Sequence, residues 1–189
     1  EMGMNDFGEI KRLSEVALPD YAIITNIGES HIEYLGSREG IAKAKLEIVE
    51  GLKNKDHLIV DGDEALLSSL TDYGKVTYCS FVHKDQAFIE DITVDLNKTT
   101  FRLGELSYEI PLTGKHHAKN ASYAIMLARM LGIDEGKIKA GLQTMEYSQM
   151  RFELKKTKEG ATIINDAYNA SPTSMMGAID IMKSLESYQ

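Results

Sequence analysis

The sequence predicts an α/β fold, a mostly parallel sheet flanked by helices that carries a small antiparallel β insert. Three observations lead there. The apolar runs at residues 21–25 and 57–60 lack polar alternation, as strands covered on both faces do. Helical patterns separate them, which favours parallel strands joined by crossovers. Residues 87–110 instead alternate polar and apolar side chains, the period of a half-exposed antiparallel meander beside the main sheet.

The elements follow in order. Residues 8–17 read as a helix stopped by Pro19-Asp20. The run 21–25 is the first strand, and Asn26-Ile27-Gly28-Glu29-Ser30-His31 the loop after it. Residues 37–52 read as one helix. Residues 57–60 form a second strand ending in the turn Asp61-Gly62-Asp63, followed by a short helix at 64–70 and a third strand at 75–78. Within the meander, Asn97-Lys98 and Gly104-Glu105 supply turns. A helix at 117–131 is closed by Gly132, and another at 134–142 is opened by Asp134. Residues 151–157 and 161–165 read as strands. Ser171-Pro172 then begins the last helix, with serine at N-cap and proline at N1.

Composition bounds the function. A chain of 189 residues suggests one domain, or one with a fragment of another. No apolar run reaches the roughly 18 residues that span a bilayer. The first residues show no secretory apolar segment, so the cytoplasm is the expectation. The single cysteine, Cys79, excludes an internal disulfide framework and a cysteine zinc site. With 21 Lys+Arg against 29 Asp+Glu, the net charge is −8, a poor match for a nucleic-acid backbone. Local nucleotide binding through amides and a metal stays open. The sequence has neither a G-x-x-x-x-G-K-[ST] phosphate loop nor a G-x-S-x-G elbow.

Several residues are placed for chemistry. On a wheel of about 100° per residue, Ile41, Ile48, Val49 and Leu52 share a face with Lys45 at its centre. Lys43, Glu47 and Glu50 lie opposite. A lysine there either snorkels its head into solvent or is desolvated into a neutral amine. A neutral amine can take up carbon dioxide, and the resulting carbamate is a carboxylate able to ligate a hard cation. His31 lies on the loop after the first strand, where open α/β sheets bind ligands; it reads equally as a surface histidine. Glu1, read at the end of an apparent strand, is a candidate magnesium ligand or water-orienting base, or a chain end without a role.

The segment Gly114-Lys115-His116-His117-Ala118-Lys119-Asn120 sits at a loop-to-helix junction that favours anions. Adjacent helical histidines do not share a face, which argues against paired metal ligation. Asn120 has an amide able to bond a base edge, and also reads as a capping or exposed asparagine. Asn165 to Pro172 follows a strand and opens a helix. There Asp166 can accept from ribose hydroxyls and Tyr168 can stack on a ring, and the same segment reads as an interdomain hinge.

Together these strings resemble the Mur ligase family of peptidoglycan synthesis. The matching strings are Glu1-Met2-Gly3-Met4-Asn5 with Gly8-Glu9-Ile10, Ile24-Thr25-Asn26-Ile27-Gly28 with Ser30-His31, and Gly40-Ile41-Ala42 with Lys45 and Glu47-Ile48. Further on come Gly114-x-His116-x-x-x-Asn120, Met150-Arg151-Phe152-Glu153 and Asp166-Ala167-Tyr168-Asn169-Ala170. The first and last strings look most like the branch that joins D-alanyl-D-alanine to UDP-N-acetylmuramoyl-tripeptide. The resemblance implies that residues 1–165 are a central ATP-binding domain lacking its phosphate-loop segment. Residues 166–189 would be the hinge and first helix of a C-terminal domain.

It also implies roles. Glu1 would bind one Mg²⁺ near the β/γ-phosphates; His31 and carbamylated Lys45 would hold a second. Asn120 would contact adenine and Arg151 the phosphates. Asp166 would meet the ribose, with Tyr168 and Asn169 beside the nucleotide. His117 stands where the family often has asparagine, which opens the second adenine contact to question. The implied reaction is ATP-dependent amide formation through an acyl phosphate, by a cytoplasmic and monomeric enzyme. Another Mur ligase, a folylpolyglutamate synthase-like ligase and a non-catalytic nucleotide-binding module are the alternatives.

Overall fold

The computed structural model describes residues 1–189 apart from Ser69, Asp85, Gln86, Leu96, residues 147–152, Asn169, Ser171 and residues 187–189. The parallel core forms where the apolar runs lie. Strand β1 (Ala22–Ile24), β2 (Leu58–Asp61) and β3 (Thr77–Ser80) pair in parallel, with Ala22 opposite Leu58 and Val60 opposite Tyr78. Leu58, Ile59 and Val60 are all fully buried. Leu58 and Val60 enter the core on one face of the sheet and Ile59 the core on the other. That two-sided burial is why the strand reads as an unbroken apolar run.

The antiparallel meander is β4 (Ala87–Val94), β5 (Thr99–Leu103) and β6 (Leu106–Ile110). It continues the main sheet rather than standing beside it. Ala87 and Phe88 of β4 pair in parallel with Cys79 and Ser80, giving one six-stranded sheet in the order β1 to β6. Strand β7 (Glu153–Lys156) and β8 (Thr162–Asn165) form a separate antiparallel pair.

Helices cover both faces. On one side lie α1 (Glu9–Ala17), the one-turn α2 (Ile32–Leu35) and α3 (Arg38–Leu46), with Ile10, Leu35 and Ile41 in the core. On the other lie α4 (Lys115–Met130) and α5 (Glu135–Leu142), with Ala121, Ile125 and Ile138 in the core. The chain ends in α6 (Pro172–Glu186). Two helix ends match the expected caps, while Ser171, the expected N-cap of the last helix, lies outside the described residues. Gly132 has φ +71°; its N–H bonds the Arg129 carbonyl and the Ile133 N–H bonds Ala128, the Schellman pattern. Asp134 accepts from the Gly136 N–H at 2.9 Å.

Other elements also differ from the sequence reading, each for a reason visible in its hydrogen bonds. The single helix at 37–52 ends at Leu46 and tightens into a 3₁₀ turn, Glu47–Glu50. This turn delivers the Glu47 carboxylate to the start of α1, where it accepts from the N–H groups of Gly8 and Lys11. Among the described residues of 64–70 there are turns and no helix. The Leu66 N–H is taken by the Glu64 side chain and the Leu70 N–H by the Tyr78 hydroxyl, bonds that compete with a helical ladder. Strand β3 lies two residues later than expected, because the Lys75 N–H is bound by Asp56 at 2.8 Å. Glu1 lies outside any strand; downstream of it, the N–H groups of Asn5 and Asp6 bond the Glu9 carboxylate instead of a neighbouring strand.

Candidate functional site at the carboxyl edge of the sheet

Because β1, β2 and β3 are parallel, their carboxyl ends share one edge, where open α/β sheets place ligands. The loop after β1 is pinned there by three successive carbonyls. Tyr123 Oη of α4 donates to Thr25 O at 2.9 Å, Lys45 Nζ of α3 to Asn26 O at 2.8 Å, and Arg38 Nη2 of α3 to Ile27 O at 3.0 Å. Ile27 is buried below them. A loop held at three consecutive peptide units by two helices presents its later residues from a fixed base.

Lys45 is half-buried, and burial moves its amine below the ordinary lysine range. Of the apolar stripe read around it, Ile41, Val49 and Leu52 are buried and Ile48 is half-buried. His31 is exposed and has left-handed backbone, φ 67° and ψ 15°, as the residue that starts α2. Such a conformation is uncommon outside glycine and concentrates at functional sites. Its imidazole acts on Glu9, whose carboxyl sits below its usual range. The Asn5 and Asp6 N–H groups are the main cause and His31 a lesser one. Glu1 is exposed. The three expected metal residues thus offer a carboxylate, an imidazole and an amine that ionises less readily than usual. The amine becomes an oxygen ligand only as a carbamate; desolvation enlarges the share of neutral amine able to form one, while the charge of the carbamate itself calls for cations beside it. Among the described residues, no three His, Cys, Asp or Glu side chains converge on a metal-sized position.

On the other helix layer, α4 begins at Lys115, two residues earlier than expected, since the Gly114 carbonyl already accepts from the His117 N–H. Asn120 therefore lies in the second turn, with an exposed side chain. The rings of His116 and His117 stand 4.0 Å apart at 43°. A Cβ on Gly114 would lie 2.7 Å from His116 Cε1 and 3.1 Å from Ile181 Cδ1 of α6, so a side chain there would push back the ends of both, and the φ of +133° also favours glycine. Asp166, half-buried just after β8, raises the pKa of His116 against a larger lowering by partial burial. The structure thus brings His116, His117 and Asp166 into one neighbourhood. Tyr168 is 62% exposed. Arg151 and Asn169 lie outside the described residues.

The sequence reading passed over a second charged centre on the same edge. Lys119 Nζ lies 2.6 Å from Asp61 Oδ1, 2.5 Å from Asp63 Oδ2 and 3.1 Å from Cys79 O. A wheel of α4 carries the signal, because Lys119 shares a face with Ser122 and Tyr123, three and four residues on, both buried.

Residues 1–128 match the family model described as the Mur ligase middle domain. Over its full length the chain is 48% identical to the UDP-N-acetylmuramoyl-tripeptide–D-alanyl-D-alanine ligase of Bacillus subtilis, of which it covers 41%. A crystal structure of MurF from Acinetobacter baumannii superposes with a TM-score of 0.84 at 28% identity, covering 95% of this chain and 40% of that one. The MurF ligase of Thermotoga maritima in complex with ADP superposes with a TM-score of 0.77 at 24% identity, covering 93% and 42%. The chain spans about two-fifths of the length of the relatives it matches.

Proposed function

The chain belongs to the Mur ligase family, and from that premise we propose that it is the nucleotide-binding part of a peptidoglycan ligase. The reaction is ATP-dependent joining of D-alanyl-D-alanine to UDP-N-acetylmuramoyl-tripeptide. The observation that carries the reading is Lys45. Its half-buried amine, lowered in pKa by desolvation, is held against the same loop that presents His31. Support for the substrate pair comes from the Bacillus subtilis ligase, identical at 48% of aligned positions across this whole chain.

In this reading residues 1–165 lie in the central ATP-binding domain, and residues 166–189 form the hinge and first helix of the next. Asn120 would contact adenine, Arg151 the phosphates and Asp166 the ribose, with Tyr168 and Asn169 close to the nucleotide and His117 at the position of the second adenine contact, where the family often has asparagine; ADP in the Thermotoga maritima ligase supports a nucleotide at this fold. Glu1, His31 and carbamylated Lys45 would hold two Mg²⁺ ions, which when bound neutralise charge gathering on the phosphates during transfer. The neutral Lys45 amine adds to carbon dioxide and releases a proton to reach that carbamate. The tripeptide carboxylate attacks the γ-phosphorus of ATP, giving an acyl phosphate and ADP. The amine of D-alanyl-D-alanine then displaces phosphate through a tetrahedral intermediate. Among the described residues no helix is long and apolar enough to cross a membrane; in this reading the enzyme works in the cytoplasm as a monomer.

The test is a substrate panel on the full-length ligase, reading ADP release and product mass. ADP release should require both the UDP-muramoyl tripeptide and D-alanyl-D-alanine. Turnover with a diamino acid or glutamate as the amine would move the assignment to another ligase of the family or to a folylpolyglutamate synthase.

A further inference from the structure

We propose that Lys119 is a positioning residue for nucleotide binding, a buried three-point anchor that sets the second turn of α4, and Asn120 with it, against the carboxyl edge of the sheet. The inference rests on the nucleotide reading of Asn120.

The Lys119 residue is only 7% exposed, a burial lysines tolerate only when paired. Its ammonium has three donors, and the site offers three acceptors: Asp61 at the end of β2, Asp63 in the turn beyond it, and the Cys79 carbonyl in β3. No donor is left over. The acceptors are themselves fixed. Ser80 Oγ donates to Asp63 Oδ1 at 2.5 Å, and the Phe81 N–H donates to Asp63 Oδ2 at 2.8 Å. Burial opposes ionisation of Asp63, but the bonds from Lys119, Phe81 and Ser80 outweigh it and hold its carboxyl below the usual range. The Phe81 ring lies 4.6 Å from the Lys119 ammonium and 4.5 Å from that of Lys115, the first residue of α4.

The cluster therefore joins two strand ends, the turn after β3 and the second turn of α4. Asn120 follows Lys119 directly and turns its own side chain outward. A rigid helix allows no independent movement of the two, so releasing the anchor displaces the amide of Asn120. A displacement near 1 Å at a positioned group costs on the order of 10²-fold in function.

The test compares Asn120→Ala, Lys119→Met and Asp61→Asn in the full-length ligase. It reads the KM for ATP, the KM for D-alanyl-D-alanine, kcat and thermal stability. Asn120→Ala should raise the KM for ATP. Lys119→Met should raise it at least about tenfold, with the KM for the dipeptide unchanged and kcat within about twofold, and should add little in an Asn120→Ala background. An unchanged KM for ATP in Lys119→Met, beside a raised one in Asn120→Ala, overturns the inference whatever happens to stability. An unchanged KM in Asn120→Ala removes the nucleotide reading and the inference with it. If Lys119→Met does not fold, Asp61→Asn decides, because it keeps the bonds to Asp63 and Cys79. A raised KM for ATP supports the anchor and an unchanged one overturns it.

Discussion

The Lys45 amine donates to the carbonyl of Asn26 across 2.8 Å, joining the buried stripe of α3 to the loop that ends in His31. Its neighbours on that loop, Thr25 and Ile27, are held by Tyr123 and Arg38. The loop geometry therefore does not depend on Lys45 alone. This separates the chemistry of Lys45 from its structural role, because two anchors remain when it is removed.

Lys45→Ala in the full-length ligase should lower kcat on the order of 10²-fold or more while the fold persists. The measurement is steady-state turnover beside circular dichroism and thermal melting. An unaffected rate would make Lys45 a lysine that only snorkels past an apolar stripe.

The pH dependence of stability should carry the signature of the same amine. Its folded-state pKa lies below the ordinary 10.5. Between those two values the unfolded chain binds more protons at this site than the folded one. Stability therefore rises with pH through that window. Below it the desolvation penalty is present in full, and above 10.5 it is gone. Urea unfolding of wild type and Lys45→Met across the alkaline range gives the difference directly. That difference should climb toward wild type as pH rises, and a flat difference would place the amine in water.

What the sequence made legible was whatever has a local cause. The unbroken run Leu58-Ile59-Val60 announces a strand buried on both faces, and Gly132 and Asp134 announce caps that form as expected. Lys45 was visible because its apolar neighbours recur at helical spacing. The start of β3 was not, since it is set by Asp56, 19 residues before Lys75. Nor was the break in the helix at 37–52, which comes where Glu47 reaches the start of α1, 39 residues from Gly8. Lys119 was passed over because its partners lie 58 and 56 residues away, and nothing local says that two strand ends meet α4.

Gly51→Ala should be among the more damaging small substitutions. An added Cβ would sit 2.0 Å from the Ser14 carbonyl oxygen and 2.2 Å from its carbon, and both are backbone. Ser14 is fully buried and its hydroxyl accepts from the Gly51 N–H at 3.2 Å, so neither side has room to give. Overpacking of this kind costs about 1–3 kcal/mol. Chemical unfolding should show a lower midpoint with an unchanged slope. A loss under about 0.5 kcal/mol would mean that α1 is free to slide over the turn at Glu47–Glu50.

The 189-residue chain by itself should bind ATP weakly and turn nothing over. Its sequence has no G-x-x-x-x-G-K-[ST] segment, the loop whose backbone amides and lysine grip the phosphates. In the proposed reading, what it offers a nucleotide is an adenine contact at Asn120 and a ribose contact at Asp166. Most of the charge of ATP lies on the triphosphate, and an acidic chain of net charge −8 does nothing to draw it in from a distance. Isothermal titration with magnesium and ATP should give a Kd no tighter than about 1 mM, near −4 kcal/mol. Micromolar binding would show that these residues hold the phosphates by a route other than a phosphate loop.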